Sequence, residues 1–129
     1  MNARLPARYR IAIREMVRRI VAQFQPERII LFGSCARGEV TAESDVDLLV
    51  VLPVAGSTRA KAVGIGVALH GIAVPKDVLV SRPEDFAWRK DVAGTIEFPA
   101  HQEGEGLYEQ RRTTGGSARV GRQGRGRSP

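Results

Sequence analysis

The sequence predicts an α/β domain in which helices alternate with short, buried strands. Apolar residues recur at spacings of three and four near the N-terminus, and three short runs rich in valine, isoleucine and leucine follow, each closed by turn residues. At 129 residues, 43% of them hydrophobic, the chain suits one compact core and leaves little room for a second.

From Leu5 to Phe24, Tyr9, Ile13, Met16, Val17, Ile20 and Phe24 share one helical face, with arginines between them, and the helix must end before Pro26. Arg28-Ile29-Ile30-Leu31-Phe32 reads as a buried strand stopped by Gly33-Ser34, and Val46 to Leu52 as another stopped by Pro53. Residues 57–70 read as a second helix capped by Ser57 or Thr58, weakened at Gly64 and Gly66 by about 1 kcal/mol each. Asp77-Val78-Leu79-Val80 is a third strand. The segment Ser81-Arg82-Pro83-Glu84-Asp85-Phe86 then supplies a cap, a first-turn proline and two acids for a helix to about Lys90. Beyond Asp91 the signals fade, because Pro99, Gly104 and Gly106 interrupt any helix. The expected organisation is one domain over 1–110 and a disordered Arg/Gly-rich segment over 111–129.

Of the 20 lysines and arginines, six (Arg111, Arg112, Arg119, Arg122, Arg125 and Arg127) lie after residue 110 with no acid among them, and the other 14 equal the 14 acids. The pI of 10.4 therefore describes the ends of the chain and not a folded nucleic-acid-binding surface. The arginine segment would attract nucleic acid only weakly, through phosphate charge. The single cysteine, Cys35, excludes an internal disulfide framework, and no paired Cys or His spacing suggests zinc. With no apolar run approaching the roughly 18 residues of a membrane span and no signal-peptide pattern, a cytoplasmic protein is expected.

The carboxylates are the odd feature. Residues two apart on a strand point to one face about 6.5–7 Å apart, so Asp45 and Asp47 set two negative charges side by side at the head of an apolar strand. A divalent cation would turn that repulsion into attraction. Oxygen donors without nearby histidine or cysteine favour magnesium or manganese, and magnesium commonly joins one or two carboxylates to substrate phosphates. Asp77 heads the third strand and would add a third carboxylate if that strand lies beside the second. Three carboxylates can hold two ions for in-line phosphoryl displacement.

Gly33-Ser34 ends the preceding strand where backbone can approach a phosphate closely, the serine hydroxyl can donate to it, and Arg37 lies about one turn on. Singly, each feature has a plain alternative: a turn, a solvated strand edge, a surface charge. The conjunction carries the argument.

Gly33-Ser34, ten residues, Asp45-x-Asp47 and a later Asp77 in a strand resemble the signature of the polymerase-beta-type nucleotidyltransferases. The fuller pattern Gly-Ser-x-x-Arg-Gly, then Ser-Asp-x-Asp-Leu-Leu-Val, resembles the minimal nucleotidyltransferases, many of them antitoxins paired with HEPN-domain toxins. The likeness covers about residues 10–110 and includes the Pro-Glu-Asp-Phe segment. It implies a small mixed β-sheet flanked by helices, two magnesium ions held by Asp45, Asp47 and Asp77, and ATP gripped by Gly33, Ser34 and Arg37. It also implies AMP transfer to a protein hydroxyl, a tyrosine on a HEPN-type toxin, with Asp77 beside the attacking oxygen. Two rival readings are an antitoxin that only occludes its partner, through the Tyr9 to Phe24 face or the acidic middle, and an antibiotic-type small-molecule nucleotidyltransferase. The chain departs from the family pattern at Gly64 and Gly66, where a bent or closely packed helix is expected, in its last helix (Pro99, Gly104, Gly106), and in its arginine segment.

Among the remaining candidates, His70 and His101 lack partners at ligand spacing. Cys35 reads as a small buried thiol, and Trp88 with Phe86 as packing for a short helix on the sheet.

Overall fold

The computed structural model describes residues 1–111, so past Arg111 the expected disordered segment lies outside the described residues. The chain runs α1 (Ala7–Phe24), β1 (Arg28–Phe32), α2 (Ser34–Arg37), β2 (Val46–Val51), α3 (Thr58–Ala68), β3 (Lys76–Ser81), α4 (Pro83–Arg89), α5 (Glu97–Glu103) and β4 (Glu105–Glu109). The strands form one sheet in the order β3-β2-β1-β4. β1 is antiparallel to β2 and to β4, whereas β2 and β3 are parallel and joined through α3, so the sheet is mixed.

The larger core lies on one face of this sheet. The α1 periodicity places Tyr9, Ile13, Met16 and Ile20 against Ile29 and Leu31 of β1 and Val46, Leu48 and Val50 of β2, with Ile65 and Leu69 from the α3 segment closing it. Each large apolar side chain buried there stabilises the fold by about 1.5–3 kcal/mol relative to exposure. Because the Tyr9 to Phe24 face is the core face of α1, its buried residues are not a surface for a partner. Ser57 caps α3 by accepting from the Ala60 N–H at 3.0 Å.

The opposite face carries a smaller core of Ile30, Phe32, Leu49 and Val51 under Phe86 and Ala100, with Leu79 at its margin. Here the structure corrects the sequence reading beyond Asp91. Pro99 sits in the first turn of α5, where its missing N–H costs no helical hydrogen bond. Gly104 caps the end of α5, where only glycine fits because a Cβ would run into the Ala100 carbonyl and come within 2.6 Å of Ile30 Cγ2. β4 then pairs along the outer edge of β1. A buried carboxylate locks this layer: Glu97 accepts from the Ser81 hydroxyl at 2.8 Å and from Arg89 Nε at 3.0 Å.

Two further expectations change. Trp88 does not pack on the sheet: it is 57% exposed, with the Arg89 guanidinium over its ring, and Phe86 alone fills the core position. Gly64 and Gly66 do not mark close packing, since a Cβ at either would meet nothing within 4 Å.

Candidate active site

The parallel register sets Asp47 of β2 directly beside Asp77 of β3, on neighbouring strands about 4.8 Å apart. Leu49 and Val51 follow Asp47 on its face, so the two carboxylates stand on the less covered side, at the end that α4 and α5 leave open. Asp45 lies one residue before β2 and not within it, and is exposed, as is Asp77; Asp47 is partly buried. None of the three makes an ion pair or side-chain hydrogen bond among the described residues.

The electrostatics follow from this crowding. Burial pushes the Asp47 carboxyl above the usual carboxylate range, and the neighbouring charges of Asp77 and Asp45 push it further. Burial raises the Cys35 thiol, and the neighbouring charges of Asp47 and Asp45 raise it further, which disfavours a thiolate at this buried position.

β1 delivers the other half of the site. Phe32 pairs with Asp47, which brings Gly33 against the Asp47 side chain. Gly33 has φ +74°, and a Cβ there would strike the Asp47 carboxylate oxygen, so glycine is required both by backbone conformation and by space. Ser34 opens α2 beside it, its hydroxyl making no hydrogen bond among the described residues. Arg37 closes α2, its exposed guanidinium paired with Glu39 at 2.8 Å and Glu103 at 3.3 Å.

Two residues that the sequence marked only for packing also position the site. The Tyr9 hydroxyl donates to the Ser44 carbonyl at 2.7 Å, and the Cys35 thiol to the Asp45 carbonyl at 3.2 Å. With Thr41 and Ser44 bonded across the turn, Asp45 is fixed from both sides. The signal for Tyr9 was its polar tip on an otherwise apolar helical face.

Among the described residues no three His, Cys, Asp or Glu side chains close into a metal cage, so Asp45, Asp47 and Asp77 form an open edge and not a finished triad. Magnesium does not need a cage. It takes one or two carboxylates and completes its shell with water and substrate phosphate, and the unpaired oxygens of Asp47 and its neighbours match that donor set. The arrangement suits a phosphorylated ligand held between these acids and the Gly33-Ser34 turn.

Comparison with known proteins agrees with this geometry. A protein of Methanocaldococcus jannaschii named "Putative protein adenylyltransferase" is 48% identical over 42 residues, a stretch that spans 31% of this chain and 42% of that one. The crystal structure of a "putative nucleotidyltransferase" from Sulfolobus solfataricus superposes with a TM-score of 0.59, covering 85% of this chain and 90% of that one at 17% identity, a likeness of fold. No helix among the described residues is long and apolar enough to cross a membrane. A model of the nucleotidyltransferase domain matches residues 13–101, which include Gly33, Ser34, Asp45, Asp47 and Asp77, and on that match the chain belongs to the nucleotidyltransferase domain family.

Proposed function

We propose that this domain transfers AMP from ATP to a hydroxyl on a protein, and that the acceptor is a tyrosine of a HEPN-type toxin that the transfer silences. The observation that carries the reading is the meeting of Asp47 and Asp77 in register, beside a glycine that only an unsubstituted backbone can fill. The 48% identity to a relative named for protein adenylylation supports a protein acceptor.

Asp45, Asp47 and Asp77 would hold the magnesium, which supplies charge neutralisation on the phosphates. The Gly33-Ser34 turn orients the triphosphate, with the free Ser34 hydroxyl donating to a phosphate oxygen. The acceptor oxygen forms a bond to the α-phosphorus while the bond from that phosphorus to the bridging oxygen breaks. Pyrophosphate leaves, and the hydroxyl proton passes to the Asp77 carboxylate and on to solvent.

The test is titration of magnesium and ATP into wild type and the Asp45→Asn/Asp47→Asn double variant, followed by thermal shift and by intact mass of the partner. Wild type should be stabilised by ATP only with magnesium, and the partner should gain the mass of one or more AMP units. The double variant should fold, lose the ATP response and lose transfer by at least about 10²–10³-fold. Turnover retained in the variant overturns the assignment. A stable complex with an unmodified partner and no ATP response leaves occlusion as the mode of action.

A further inference from the structure

The carboxylate edge opens sideways into a groove of about 480 Å³ that runs along β3, one of the two edge strands of the sheet, beneath α3. Arg59, Val63 and Gly66 of the helix line one wall, and Asp77, Val78 and Val80 the other. Asp77 lines the groove from β3 while sharing the opposite sheet face with Asp47, so the edge of β3 borders both the nucleotide side and this groove.

The free edge of β3 has a defined hydrogen-bonding pattern. Val46 N–H donates to the Pro75 carbonyl at 2.8 Å and Leu52 N–H to the Ser81 carbonyl at 3.1 Å, which fixes the phase of the parallel ladder. Residues 75, 77, 79 and 81 turn their backbone groups toward β2, and Lys76, Val78 and Val80 turn theirs outward. Among the described residues no other strand pairs there.

Edge strands are normally guarded by an outward charge, a proline or a bulge. β3 has no proline and no register shift; of its two charges, Asp77 belongs to the carboxylate site and Lys76 is folded back, its Nζ on the carbonyls of Ile72 and Val74 at 2.8 and 3.0 Å. The neighbouring helix is equally unprotected: Val63 and Val67 are 61% and 68% exposed. Gly66 lowers the groove wall although the fold does not need a glycine there, because a Cβ would meet nothing within 4 Å. It costs the helix about 1 kcal/mol relative to alanine with no packing return inside the chain.

We propose that this groove is the acceptor site, and that an extended segment of the protein substrate adds to β3 as a new edge strand, bringing its hydroxyl to Asp77. The inference rests on the protein-acceptor reading above. An extended backbone is the occupant that matches alternating free N–H and C=O groups. Its side chains on one face would meet Val63 and the gap at Gly66, and those on the other would stand beside Asp77. A diagonal cross-strand neighbour is about 7–8 Å away, within reach of an aromatic side chain, so a tyrosine presented on that face can place its hydroxyl at the carboxylate. Arg59, which makes no ion pair among the described residues, favours an acidic residue toward the Val80 end.

The test uses the peptide Val-Gln-Val-Tyr-Val-Gln-Val with the full chain, reading amide hydrogen exchange at Val78 and Val80 and, separately, AMP transfer to the tyrosine. The peptide should slow exchange at both amides by about threefold or more. N-methylation of one alternate set of peptide amides should abolish that protection, and methylation of the other set should spare it. Val63→Glu should remove both protection and transfer to the peptide while leaving the magnesium–ATP thermal shift intact. Protection without AMP transfer upholds the groove and counts against the transfer reading. Transfer without protection, equal tolerance of both N-methyl sets, or Val78 and Val80 already protected within a dimer of the chain in sedimentation overturns the inference.

Discussion

On the α1 and α3 side of the sheet, Ile29, Leu31, Val46, Leu48 and Val50 are all fully buried, so β1 and β2 present only apolar side chains to that layer. On the other side the apolar pattern holds at Ile30, Leu49 and Val51 under Phe86 and Ala100, then breaks at Asp47, with Asp77 beside it. The two faces share one backbone and one register, so local strand propensity does not explain the break. A large apolar side chain at the Asp47 position would gain about 1.5–3 kcal/mol if the layer above it were continued. Instead the covering helices stop short and two adjacent acids take the positions, a conflict between levels of structure of the kind that marks a functional site.

Neighbouring residues on β2 give the sharpest way to break this comparison. Leu48 belongs to the sealed face and Asp47 to the open one. Leu48→Ala should lower stability by about 2–5 kcal/mol in denaturant titration, because it leaves a cavity with no room to relax. Transfer per folded molecule should be retained. Loss of transfer in a Leu48→Ala protein that remains folded would mean that the two faces are not separable.

Gly33→Ala attacks the open face through the backbone. An alanine must either give up φ +74° or displace the Asp47 carboxylate, a cost of about 1–3 kcal/mol. Melting temperature and transfer should both fall, transfer by more than the loss of folded protein accounts for. If transfer per folded molecule were unchanged, the close approach of Gly33 to Asp47 would have no part in catalysis.

These residues also show what the sequence could and could not reveal. The strands around Ile29–Phe32 and Leu48–Val51 and the α1 face were legible because each has its own periodicity and its own stop signal. Gly33, Ser34, Asp45, Asp47 and Asp77 stood out because their chemistry conflicts with a plain strand-turn-strand. β4 was not legible: Glu-Gly-Leu-Tyr-Glu becomes a strand only through pairing with β1, a tertiary effect. Pro99 and Gly104 read as breakers, yet one opens the first turn of α5 and the other closes its end against Ile30. The pairing of Arg37 with Glu103 joins residues far apart in the chain, which no local pattern reports.

The smallest effect tests the stability side of the comparison directly. Burial raises the Asp47 carboxyl, and Asp77 and Asp45 raise it further, so the folded state holds its proton more tightly than the unfolded chain does. Stability is therefore unimpaired below the ordinary aspartate pKa and declines as pH rises through the raised value, the reverse of the usual paired carboxylate. Asp47→Asn removes that loss. In a chelator the variant should melt a few degrees above wild type at neutral pH, and the gap should close near pH 3, below the usual aspartate value of about 3.9. Magnesium should narrow the gap by stabilising wild type alone. A gain that persists at the lower pH would place its origin in packing, and the absence of any gain at neutral pH would mean that the open face carries its acids without loss of stability.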